Sequence, residues 1–136
     1  ARDLELDRDE LPKYLEYLEK AELVSVLRMK ANGDAILRKM DKLYLHNPNI
    51  AYVLSGEKPE TGNARETIFY CWTKQKYETL ESPVSDFEIE GKTFEVGGRK
   101  KGKKQIEYVK DGYLVKDNTE YVFDNQVPLW MFGFLY

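Results

Sequence analysis

Residues Ser85–Gln105 read SDFEIEGKTFEVGGRKKGKKQ. Two short runs alternate apolar and polar residues around Glu90-Gly91-Lys92, and the basic residues Arg99, Lys100, Lys101, Lys103 and Lys104 follow. Period-two alternation predicts a β-hairpin with strands over 86–90 and 93–97. Phe87, Ile89, Phe94 and Val96 then share one face, leaving Asp86, Glu88, Glu90, Thr93 and Glu95 on the other. With Gly91-Lys92 as the two-residue turn, Glu88 lies opposite Glu95. Asp86 lies diagonal to it, with Cβ atoms within about 7–8 Å. Carboxylates at that spacing can converge on one hard divalent ion. Hydration of an exposed acidic face produces the same pattern, and spacing alone does not choose between the two.

Gly91-Lys92-Thr93 has the letters that end a Walker A loop. That motif needs a glycine five residues before Gly91, where this chain has Asp86, and a β-turn is not a loop opening a helix. No ATP-binding loop of that kind is present.

Working outward, Asp9 or Glu10 opens a predicted helix that tolerates Pro12 in its first turn. Leu11, Leu15 and Leu18 recur at helical spacing through Ala21. Leu23–Leu27 reads as a strand, Asn32-Gly33 as a tight turn, and Ile36 and Leu37 as the returning strand. Residues 42–46 form a further strand, stopped by Asn47-Pro48-Asn49, which starts a short helix ending near Gly56. Thr61-Gly62-Asn63 offers a cap for a longer helix from Ala64 to about Lys74, with Ile68, Phe69 and Trp72 buried. Strands are expected at 76–80 and 121–123, a helix over 103–111, and an apolar C-terminal segment, LWMFGFLY, packed on the sheet. The class is α/β.

The 136 residues suit about one domain, and 42% of them are hydrophobic, enough for a core. The net charge of −3 excludes a chain that is basic throughout, so nucleic-acid contact must be local to 99–104. A solvated charge run is the plain alternative for that cluster. One cysteine, Cys71, forbids an internal disulfide and points to a reducing, cytoplasmic setting. No run of about 18 apolar residues is present, so no membrane partner is expected. The chain lacks an initiator Met and begins within an alternating pattern, as a fragment of a longer protein would. His46 is the only histidine and reads as a strand-end polar residue, and Cys71 as a helix residue of the core or its rim. Glu66, a quarter-turn from the buried stripe, reads as a solvated acid near a helix N-terminus.

In this order, KLYLHNPNIAYVLSG (42–56), GNARETIFY (62–70), SDFEIEGKTFEVGGRKKGKKQI (85–106) and VPLWMFGFLY (127–136) resemble a C-terminal domain of unknown function found in bacterial and archaeal AAA+-type ATPases. The resemblance implies a restriction-endonuclease-like, PD-(D/E)xK fold over 42–136: a mixed sheet flanked by helices. A partial winged helix, helix plus β-wing, would precede it over 1–41. Residue by residue, it makes Glu66 the helix acid, Asp86 the first-strand acid and Glu95 the second-strand acid. In active members such acids hold Mg²⁺ or Mn²⁺ for phosphodiester cleavage. The pattern wants a lysine two residues after the second acid, and Gly97 stands there. Arg99 or Lys100, swinging in from the Gly97-Gly98 bend, is the expected substitute.

The leading expectation is therefore a nucleic-acid-associated regulatory domain with a degenerate site, whose partners are DNA and an upstream AAA+ region of the same protein. An active Mg²⁺-dependent nuclease using Asp86, Glu95, Glu66 and Arg99 or Lys100 is the first alternative. A protein-interaction or homo-oligomerisation module is the second.

Overall fold

The computed structural model describes residues 10–30, 42–56, 59–98 and 100–135. Among them the chain is mixed α/β. A five-stranded sheet runs in the order β3 (Thr79–Glu81), β4 (Phe87–Ile89), β5 (Lys92–Gly97), β6 (Gly112–Lys116) and β7 (Gln126–Pro128). The first three strands form an antiparallel meander, and β6 and β7 add in parallel. A separate antiparallel ribbon joins β1 (Val24–Leu27) to β2 (Lys42–Leu45). It pairs residues on the two sides of the expected 41/42 boundary. The wing strand expected at Ile36 and Leu37, and the Asn32-Gly33 turn, lie outside the described residues.

Helix α1 (Leu11–Lys20) precedes the ribbon and is tied to it by Glu19, which accepts from the Val26 amide (3.2 Å) and pairs with Arg28 (2.9 Å). Helix α2 (Pro48–Ser55) starts on an Asn47 cap and ends at Gly56, whose φ of 63° is a left-handed stop. Helix α3 begins earlier than the local signal suggests, at Thr61, and runs to Thr73. Glu60 makes the difference: its carboxylate accepts from the amides of Gly62 (2.8 Å) and Asn63 (2.6 Å), taking the capping role assigned to Thr61-Gly62-Asn63.

Phe69 of α3 is wholly buried against the sheet, its ring 5.0 Å from Phe87, 5.5 Å from Phe94 and 4.7 Å from Phe132. Phe132 belongs to the C-terminal 3-10 helix, Leu129–Phe134, so the inner side of the apolar tail closes the core. Its outer residues Trp130 and Phe134 stay exposed. β5 is buried along nearly its whole length, as expected of a strand covered on both faces.

Two local expectations give way. The 103–111 segment is a chain of separate turns: Ile106, Val109 and Gly112 amides each bond the carbonyl three residues back. Ile106 is buried so tightly under Gly112 that a Cβ there would sit 3.0 Å from Ile106 Cβ, and this packing sets the path in place of a helix. Residues 121–123 are exposed rather than a strand. Phe123 and Gln126 close a tight turn, and the ladder position beside β6 goes to Gln126–Pro128. Strand β6 itself, the run Tyr113-Leu114-Val115, has no counterpart among the predicted strands.

The hairpin turn also shifts. Ile89 pairs with Lys92, so Glu90-Gly91 is the two-residue loop, with φ of 50° and 77°. Two left-handed residues make the tight turn whose twist matches the strands. Glutamate is strained in that region. Glu90→Asn is expected to stabilise the fold by about 0.5 kcal/mol, read as a higher urea midpoint. An unchanged midpoint would mean the turn stores no strain.

Candidate functional site

The shifted turn slides the hairpin register by two positions. Phe87 faces Phe94, and the same register carried one step further sets Asp86 directly across from Glu95 instead of diagonal to it. Glu88 faces Thr93, away from Glu95. Asp86 accepts from the Val96 amide (2.8 Å) and lies 3.8 Å from the Lys42 ammonium on β2. Glu66 on α3 accepts from the Tyr44 hydroxyl (2.7 Å), which leaves it partnered rather than merely solvated. An open depression of about 390 Å³ beside it is lined by Lys42, Tyr44, Glu60 and Asn63 among others.

Glu95 is the deepest member, with 0% exposure, which removes the hydrated-face reading at this position. One of its oxygens accepts from the Ser85 hydroxyl and the other pairs with the Lys101 ammonium. Burial raises the Asp86 carboxyl to about 6, the Val96 amide partly offsets this, and the fields of Glu66 and Glu95 add to it. Burial opposes the Lys101 charge, but the bond to Glu95 and the fields of Glu95, Asp86 and Glu66 outweigh it and raise its pKa. The three acids singled out by sequence thus share one electrostatic neighbourhood.

The basic residues divide. Lys101 turns inward to Glu95. Lys103 pairs with Asp124 at 2.6 Å, and Lys100 and Lys104 are exposed. Arg99 lies outside the described residues. The lysine that reaches the acids is therefore Lys101, which the sequence reading placed with the phosphate contacts. A signal for it was present in Gly97-Gly98. A Cβ on Gly97 would lie 2.5 Å from Lys101 Cγ, and one on Gly98 would lie 3.1 Å from the Arg65 guanidinium carbon. Paired glycines before a basic run mark a close approach of side chains to backbone. Arg65 is held by Asp117, and the Asp117 amide bonds the Gly97 carbonyl (3.3 Å), so the bend is anchored on both sides.

These residues do not fit Mg²⁺ or Mn²⁺ as arranged. A near-octahedral ion needs several free oxygens converging at about 2.1 Å. Glu95 Oε2 accepts from Ser85, Oε1 is ion-paired with Lys101 without a hydrogen-bonding geometry, and one oxygen each of Asp86 and Glu66 is also engaged. Among the described residues, no group of three or more His, Cys, Asp or Glu side chains is placed to hold a metal ion.

The remaining chemistry-bearing side chains form a second polar group. His46 Nδ1 lies 3.1 Å from Ser25 Oγ and 3.0 Å from Lys74 Nζ, and Lys74 donates to Ser25 at 2.6 Å. Ser25 is a buried ladder residue, so the trio fastens the β1–β2 ribbon to α3. Cys71 donates to the His46 carbonyl, and burial raises its thiol pKa, which lowers its nucleophilicity. Among the described residues, no helix is long and apolar enough to cross a membrane. Comparison with family models, curated proteins and solved structures returned no match for this chain.

Proposed function

We propose that the chain is a nucleic-acid-associated regulatory domain with a restriction-endonuclease-like core whose acid cluster has lost its hydrolytic role. The observation that carries this reading is the grouping of Glu66, Asp86 and Glu95 beside the loop that bears Lys100 and Lys104. The element order supports it: a helix, three antiparallel strands, a crossover and a parallel strand, with acids on the helix and at the facing strands. The placement beside an AAA+ ATPase and the preceding winged helix rest on the sequence resemblance alone.

Contact with the phosphate backbone falls to Lys100 and Lys104, which are exposed, with Lys103 once freed from Asp124. Against a net charge of −3 this contact is weak and dependent on salt. Fluorescence anisotropy with labelled duplex DNA across a salt series tests the reading. Lys100→Gln with Lys104→Gln is expected to reduce the salt slope by roughly 1.8, two phosphate contacts at about 0.9 each. Absence of binding, or a slope unmoved by the double variant, would sink it.

A further inference from the structure

The chain folds back sharply after β5. The Lys101 amide bonds the Gly98 carbonyl at 2.9 Å, and the Lys101 stem then lies directly over Gly97. No other residue at 97 leaves that space. The ammonium ends on Glu95, inside the combined field of three carboxylates, while its own side chain remains 38% exposed. Lys42, near Asp86, is the second ammonium in the group. A cation is thus already seated against the buried acid, delivered by a covalent tether only six residues long in sequence. Tethering gives it an effective concentration on the order of millimolar or more.

We infer that Lys101 is the resident cation of the acid cluster, holding the place against Glu95 that a divalent ion would otherwise take. The native domain therefore does not take up Mg²⁺ or Mn²⁺, and removing the ammonium opens the site to one. This inference rests on the nuclease-like reading of Glu66, Asp86 and Glu95. Gly97-Gly98 makes the device work, because a side chain at 97 would push the lysine stem away.

Calorimetric titration with Mn²⁺ tests the assignment, with circular dichroism checking that each protein is folded. Wild type is expected to bind nothing up to millimolar Mn²⁺. Lys101→Met should bind at least tenfold more tightly than that limit, and Lys101→Met combined with Asp86→Asn should lose that binding. Gly97→Ala keeps every charge but displaces the stem, so it should resemble Lys101→Met and decides the matter if Lys101→Met does not fold. A gain under tenfold because wild type already binds overturns the assignment, yet leaves the nuclease-like reading standing. Failure of both single variants to bind, or binding that survives Asp86→Asn, overturns the assignment and the nuclease-like reading together.

Discussion

Phe69→Ala is expected to lower the unfolding free energy by about 3–5 kcal/mol, the range for truncating a fully buried aromatic. Phe69 has no exposure, and its ring meets three others, from β4, β5 and the C-terminal helix, within 4.7–5.5 Å. Alanine would leave a cavity that these strands cannot close without breaking their own register. Each aromatic contact adds about 0.5–1.5 kcal/mol beyond the area buried. Urea unfolding measures the loss. Phe134→Ala is the control: its ring is exposed and meets Trp130 edge-on, and a loss below about 1 kcal/mol is expected. A loss below 1.5 kcal/mol for Phe69→Ala would mean that α3 is not anchored through this ring. The site would lose its frame as well, since α3 positions Glu66.

Asp86→Asn is expected to stabilise the protein at pH 8 by about 1–1.5 kcal/mol, with the gain fading toward pH 4. Burial raises this carboxyl from 3.8 to about 6 in the folded chain. Between those values the native state holds a proton that the unfolded chain has released. Stability therefore falls as pH rises through the window and stays lowered above it. The displacement corresponds to at most about 3 kcal/mol, and partial contact with water reduces it to roughly half. Asparagine cannot ionise, yet its carbonyl oxygen can still accept from the Val96 amide, so the backbone contact survives. Chemical denaturation of both proteins between pH 4 and pH 8 gives the comparison. A difference constant with pH would show that Asp86 carries no such strain. Stability gained on losing a carboxylate is the mark expected of a group retained for a site rather than for the fold.

Much of the architecture was legible because it depends on neighbours along the chain. Alternation at Phe87, Ile89, Phe94 and Val96 marks a hairpin whatever it packs on, and Asn47 and Gly56 bound α2 by satisfying its own end groups. The choice of Glu66, Asp86 and Glu95 as a group came from resemblance, and the chain does bring them into one field. The expected course of 103–111 failed because burial of Ile106 under Gly112 outweighed helical periodicity. Strand β6 escaped notice because a parallel partner is set by a distant edge, that of β5, and leaves no alternating local pattern.

What the sequence determined by itself was the α/β class, the hairpin, its two faces and the acids on one of them. Local sterics and period-two geometry suffice for those. The tertiary structure decided which residues turn the hairpin, and so which acid faces Glu95. It also decided which lysine of the basic run goes inward. The second depends on a long-range balance: the buried Glu95 needs a cation, and among the described residues Lys101, folded over Gly97, reaches it.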